Sequence, residues 1–341
     1  MFKKLKEGYG SLWQAIIRPP REEYSSEDLG PSQFNLHGRT FQRTDFTITN
    51  ARGNKIYVSH FEPVESERVT EVLPCVVYLH GNCSSRLEGL AGIPVLMPSN
   101  ITLVCLDFAG CGMSEGEYIT LGWNEKEDLG VLVEHLRSER RVGAIGLWGR
   151  SMGAVTAIFY ASQDFGVAGL VLDSPFSSFK KLAMELCKKY ARVPGFVMKS
   201  VYSMVKKTCM KKTGMNLDEL NPVDAAKQCF CPSLFGTGND DDFVAPAHSK
   251  EVYEAYAGDK NILYMEGDHN STRPFEFSGA VSDFFYRVLM CDALPSVDLT
   301  QLEGASEIPE FIERRSIQED NEEMDEEAMI KMAIENSLKD S

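Results

Sequence analysis

No apolar run in this sequence is long enough to span a bilayer. Its opening residues, MFKKLKEGYGSLW, carry neither a continuous apolar segment nor a small-residue cleavage site. These absences lead us to expect a cytoplasmic chain. Basic charge is scarce: 35 Lys and Arg stand against 50 Asp and Glu, a net charge of -15. A polyanion needs a basic surface, so a nucleic-acid partner is not expected. A disulfide framework is also lacking, because the nine cysteines are odd in number and scattered through apolar segments such as those of Cys75 and Cys105. Cys229 and Cys231 have no second Cys/His pair at ligand spacing, so neither zinc nor any other metal is expected.

What is present is an ordinary globular composition, 43% hydrophobic and 25% charged over 341 residues, with three compositional regimes. Residues 1–38 read as an extension. Phe2, Leu5, Leu12, Trp13, Ile16 and Ile17 recur at roughly helical spacing before Pro19-Pro20 ends the run. Packing of this helix onto the main domain is favoured over a membrane anchor, because Gly8 and Gly10 weaken a free helix.

The second regime, residues 39–292, alternates short β-rich runs with helix-like segments. Eight strands are expected, at 44–50, 55–61, 74–79, 101–106, 143–148, 168–172, 232–236 and 261–265. The first two form an antiparallel edge, and the rest imply a mostly parallel sheet with helices on both faces. A helical insertion at 179–220 breaks the rhythm. Over 180–212 it holds ten Lys/Arg against one acid, Glu185, and reads either as a lid that meets anionic or membrane-bound acyl substrates, with peripheral membrane contact, or as a solvated basic helical pair.

Within the alternation, Gly149-Arg150-Ser151-Met152-Gly153 follows a strand and opens a helix. In a nucleophile elbow the turn is so tight that the residues two either side of the serine must be glycine. By itself the pattern is weak, so partners must be found. In this architecture an acid and then a histidine follow the serine, each in a loop after a later strand. Only His248 and His269 follow Ser151. His248 falls at a helix start, whereas His269 lies just after the last strand, which makes His269 the expected base. The preceding strand ends in Gly238-Asn-Asp240-Asp241-Asp242, and Asp241 is the expected acid, chosen over its two neighbours. Oxyanion donors are expected at the backbone N–H of Met152 and of Asn82, with Cys83 as the alternative to Asn82. His80 reads as a brace for that loop.

Together, His80-Gly81-Asn82, Asp107-Phe-Ala-Gly110-Cys-Gly112-Met-Ser114, the elbow, Asp173-Ser174-Pro175-Phe176, the Asp241 loop and His269 resemble the α/β-hydrolase superfamily of serine hydrolases. The match spans roughly residues 44 to 290. It is similar to a branch containing depalmitoylating thioesterases and serine aminopeptidase-like members. The resemblance implies an α/β-hydrolase fold and a covalent acyl-enzyme on Ser151, with His269 as base and Asp241 orienting it. It implies no cofactor. The expected substrate is an acyl ester or thioester, either a small molecule or an acylated protein. A peptidase of the same fold and a ubiquitin-binding adaptor on a hydrolase scaffold are the alternatives.

The third regime, 293–341, is an acidic tail with thirteen Asp/Glu and four Lys/Arg over 301–341. Residues 325–340 nonetheless have helical spacing, with Ile330, Ala333, Ile334 and Ser337 on one face. The run resembles a ubiquitin-interacting motif, which implies ubiquitin contacts at those four residues. A helix docked on the basic insertion is the competing expectation.

Overall fold

The computed structural model describes residues 10, 12–190, 195–295, 308–313 and 326–338. Phe2 and Leu5 lie outside them, as does the side chain of Ser337. The strands are β1 (Gln33–Leu36), β2 (Arg39–Thr49), β3 (Lys55–Pro63), β4 (Leu73–Leu79), β5 (Thr102–Leu106), β6 (Val142–Arg150), β7 (Gly169–Asp173), β8 (Ser233–Gly238) and β9 (Lys260–Met265). They form one nine-stranded sheet in the order β1-β2-β3-β5-β4-β6-β7-β8-β9. From β5 to β9 every pairing is parallel, while β1, β2 and β3 add an antiparallel edge.

Nine strands correct the expected eight. The additional strand, β1, lies within the stretch read as an extension. It joins β2 through His37-Gly38, both at positive φ (50° and 73°), so the chain turns in two residues. That is the backbone a tight hairpin with right-handed strand twist demands. The turn carries no Asn-Gly or Asp-Gly signature, and β1 itself is only four residues long.

The central strands β4, β5, β7 and β8 are buried along their whole length. Burial on both faces follows from helices on both sides of a parallel sheet. Alternate residues divide between two cores, as strand geometry requires. Val77, Leu79, Leu170 and Leu172 face one core, whereas Val76, Tyr78 and Val171 face the other.

The helices, in chain order, begin with α1 (residues 12–17) and α2 (Ile93–Leu96). Then come α3 (Glu125–Ser138), α4 (Met152–Ala161), α5 (Phe179–Tyr190), α6 (Gly195–Thr213), α7 (Pro222–Ala226) and α8 (Pro246–Ala255). The last are α9 (Phe275–Val288), α10 (residues 310–313) and α11 (Glu326–Leu338). On one face, α9 buries Phe277, Val281 and Phe285, spaced four apart so that one stripe meets the sheet. The opposite face carries α1, α3, α4, α5, α6 and α8, and Ala333 and Ile334 of α11 join the same core. Among the described residues no helix is long and apolar enough to cross a membrane.

Candidate active site

The turn from β6 into α4 is built around close backbone approach. A Cβ placed on Gly149 would stand 2.3 Å from the carbonyl carbon of Gly153. One placed on Gly153 would stand 1.9 Å from the Leu79 oxygen. Neither position tolerates a side chain. Between them Ser151 adopts φ 50° and ψ -112°, a conformation costly for a non-glycine residue. Its N–H donates to the Asp173 carbonyl at 2.8 Å, which ties the strained turn to the end of β7.

The structure brings Ser151, Asp241 and His269 together. Ser151 Oγ and His269 Nε2 are 3.0 Å apart, and His269 Nδ1 is 2.7 Å from Asp241 Oδ2. All three side chains are buried. With Nδ1–H donating to the carboxylate, Nε2 is left to accept the serine proton. The other oxygen of Asp241 accepts the N–H groups of Phe243 (3.2 Å) and Val244 (2.7 Å). An aspartate gripping the backbone two and three residues ahead fixes its own rotamer. Asp240 and Asp242 are exposed, and Asp242 pairs outward with Lys189 Nζ at 2.7 Å.

Asn82 and Met152 line the cavity in front of Ser151. Met152 opens α4, where a first-turn N–H has no partner within its helix. The Cys83 N–H is taken by Asn82 Oδ1 at 3.0 Å, and the Gly81 N–H by Glu88 Oε2 at 2.9 Å. Those two amides point to partners within the loop and its neighbouring turn.

His80 is a brace. It donates from Nδ1 to the Gly81 carbonyl at 2.7 Å, and Nε2 accepts the Phe108 N–H at 3.2 Å. His248 likewise serves structure, accepting the Ser177 N–H and bonding Glu185 Oε2 at 2.9 Å. Burial holds its imidazole below the usual range, against the pull of Glu185.

Sequence reasoning missed Arg273. Its guanidinium grips the Asp173 carboxylate and also donates to the His269 carbonyl at 3.1 Å. Arg150 donates to the same carbonyl at 3.0 Å. Burial works to raise the Asp173 carboxyl, but the charge and hydrogen bonds of Arg273, aided by Arg150, hold it below the usual carboxylate range. The only signal in the sequence was an arginine four residues after the candidate histidine, which is not specific.

The cavity beside Ser151 has a volume of about 880 Å³ including its open mouth. Its walls come from α1, from the insertion helices α5 and α6, and from α11. Phe179, Leu182 and Leu186 of α5 meet Val201 and Val205 of α6 there. Among the described residues no acidic side chain lines it. Nor do they hold a cluster of three His, Cys, Asp or Glu able to bind a metal ion.

With sheet order, elbow and relay in view, comparison with solved structures places the architecture. The esterase Pf2001 from Pyrococcus furiosus superposes with a TM-score of 0.61 at 23% identity, covering 80% of this chain and 98% of that one. The chain has an α/β-hydrolase fold. Acetyl xylan esterase 1 from Thermoanaerobacterium sp. JW/SL YS485 shares this hydrolase fold, with a TM-score of 0.55 at 18% identity over 85% of this chain and 94% of that one. Residues 70–220, from β4 through the insertion, match the family model Hydrolase_4, described as serine aminopeptidase, S33. The uncharacterized protein YqkD of Bacillus subtilis (strain 168) is 28% identical over 233 residues, 67% of this chain and 73% of its own. The family match and the esterase neighbours support a hydrolase.

Of the residues expected to meet ubiquitin, the described side chains are those of Ile330, Ala333 and Ile334. Ala333 and Ile334 are buried and Ile330 is half-buried, in a helix that lies on α5.

Proposed function

We propose that the protein is a serine hydrolase that cleaves acyl esters or thioesters through an acyl-enzyme on Ser151. The observation that carries this reading is the buried Ser151–His269–Asp241 relay at the edge of an apolar cavity. Ser151 Oγ attacks the carbonyl carbon while His269 Nε2 takes its proton, and Asp241 stabilises the imidazolium that results. The oxyanion is held by the amides of Met152 and Asn82, each donor contributing about 3 to 4 kcal/mol in comparable sites. Collapse of the tetrahedral intermediate expels the alcohol or thiol, which receives the proton from His269. Water, deprotonated by His269, then attacks the acyl-Ser151 ester and releases the carboxylic acid.

An aminopeptidase must hold a substrate ammonium, and a carboxylate is the usual partner for one. The absence of any acidic side chain among the described cavity-lining residues therefore favours an acyl chain over a peptide N-terminus. The walls suit an aliphatic acyl group, free or carried on a protein.

Labelling with a fluorophosphonate probe, followed by turnover of acyl esters of increasing length, tests the proposal. Ser151→Ala should abolish both and leave the thermal midpoint within a few degrees of wild type. Wild-type turnover in that variant would end the assignment.

A further inference from the structure

The C-terminal helix α11 supplies nothing to the Ser151–His269–Asp241 relay, yet it forms part of the cavity wall. Ile330 and Ile334, four residues apart and therefore on one face, line the same cavity as Ser151. Ala333 and Ile334 are buried in the core that also holds Leu182 and Leu186 of α5. Lys331 Nζ lies 5.7 Å from the Tyr190 ring centroid at the end of α5. The helix is thus seated by apolar burial and by a cation over an aromatic face. Met332, 59% exposed, is on its free side.

An apolar wall residue acts on an acyl substrate in two ways. It adds contact to each methylene that reaches it, and it stops those that would pass through it. Each buried methylene raises kcat/KM by about fourfold when that burial is realised in the transition state. The chain length at which the gain ends is set by whichever side chains close the cavity.

We infer that α11 is a specificity element of the acyl site, with Ile330 and Ile334 determining which acyl lengths the enzyme takes. This rests on the serine acyl-transfer reading. The amphipathic face of the tail is thereby given an intramolecular role: it completes a cavity that α1, α5 and α6 leave unfinished.

The test uses the full chain and p-nitrophenyl esters from C4 to C16. The readout is the ratio of kcat/KM for C12 to that for C4, both terms taken from one preparation so that a partly unfolded fraction cancels. Ile330→Trp adds bulk at a half-buried position and should lower the ratio at least tenfold, moving the optimum to shorter chains. The double variant Ile330→Ala/Ile334→Ala should move the optimum to longer ones. Met332→Ala should leave the profile unchanged. Labelling rates of Ser151 with ethyl and dodecyl fluorophosphonates should follow the same ratios without turnover. Identical profiles in wild type and both cavity variants overturn the inference. So does a rise at every length alike in the double alanine variant, which would make α11 an obstruction and not a wall. Failure of the wild-type chain to react with any ester or probe is a different result, because it removes the hydrolase reading itself.

Discussion

Arg273 reaches from the His269 loop to Asp173 at the end of β7, its Nε 2.7 Å from Oδ2 and its Nη2 3.1 Å from Oδ1. Asp173 also accepts the Ser151 N–H through its backbone carbonyl, and Arg273 donates to the His269 carbonyl. One ion pair, its carboxylate buried and its guanidinium partly exposed, therefore spans the two residues that must stay in register, the proposed nucleophile and its base. Placement to within about half an ångström is what such a pair must maintain.

Replacing Arg273 by Met should accordingly lower kcat on a short ester by roughly ten- to a hundredfold with KM changed less than about twofold. Arg273→Lys should restore only part of the loss, because one ammonium cannot replace a planar fork holding a carboxylate and the carbonyls of Asp268, His269 and Ser271. Steady-state kinetics on the two variants checks this. A loss confined to KM would mean that Arg273 touches substrate instead of positioning His269.

The same pair fixes a pH dependence. The Asp173 carboxyl is held below its ordinary value of about 3.9, so its contribution to stability is present above that pH. It is lost only as the pH falls through the lower, folded-state value. The difference in thermal midpoint between wild type and Asp173→Asn should therefore be constant from pH 8 to pH 5 and shrink below about pH 4. Removing one partner of a fully buried pair costs about 3 to 5 kcal/mol, and even the smaller cost expected with Arg273 partly exposed leaves a readable difference. A difference that has already vanished at pH 6 would contradict the clamp.

Much of the fold could be read in the sequence because each long strand carries its own signal. β4 to β7 are continuous apolar runs, and the elbow is marked by two glycines that steric contact makes obligatory. β1 could not be read, since four residues and a His-Gly turn leave no distinctive pattern. The candidate site was legible where chain order constrained it, at Ser151 and His269, which the fold brings within 3.0 Å of each other. The choice of Asp241 from three aspartates acquires a physical basis only in the backbone amides of Phe243 and Val244. Arg273 and the seating of α11 depend on contacts across 100 or more residues, which no local spacing encodes.

That geometry sharpens what the three aspartates should do. His269→Ala should reduce kcat by about 10⁴-fold or more, since a relay acts as a unit, and Asp241→Asn should also be severe. Asp240→Asn and Asp242→Asn should be nearly silent, both being exposed, with Asp242 engaged by Lys189 outside the relay. Turnover of one ester by the four variants suffices. A large loss at Asp242 with none at Asp241 would reject the assignment.

The basic insertion makes a prediction about membranes. Val201 and Val205 on α6 line the cavity, while Phe196, Met204 and Met210 are exposed together with Lys199, Lys207 and Lys211. Two other lysines are engaged: Lys206 pairs with Asp218, and Lys212 sits 4.3 Å from the Trp13 ring centroid. We propose that the exposed face rests on anionic lipid, with apolar side chains at the headgroup boundary. Sedimentation with vesicles containing phosphatidylserine should show binding that weakens with salt. Changing Lys199, Lys207 and Lys211 to Glu should weaken it further. Equal binding to neutral vesicles would remove the proposal.

Ubiquitin, if it binds the tail, must compete with the protein itself. The resemblance to a ubiquitin-interacting motif rests on Ile330, Ala333, Ile334 and Ser337, and the described side chains among these face the domain. A short isolated helix of this kind should bind with a Kd of about 0.1 to 1 mM, because it buries little area and must be ordered on binding. In the full chain the helix must first leave α5. Exposing Ala333, Ile334 and part of Ile330 costs roughly 3 kcal/mol, which weakens apparent affinity by more than about a hundredfold. Titration of isotope-labelled ubiquitin should therefore show resonance shifts with a peptide of residues 320–341 but none with the full chain at the same concentration. Ala333→Gln should abolish the shifts from the peptide by placing a bulky amide at the contact. If the full chain binds as tightly as the peptide, α11 is not docked on α5 in solution. If neither shifts a resonance at millimolar concentration, ubiquitin is no partner of this tail, and the face serves the acyl cavity alone.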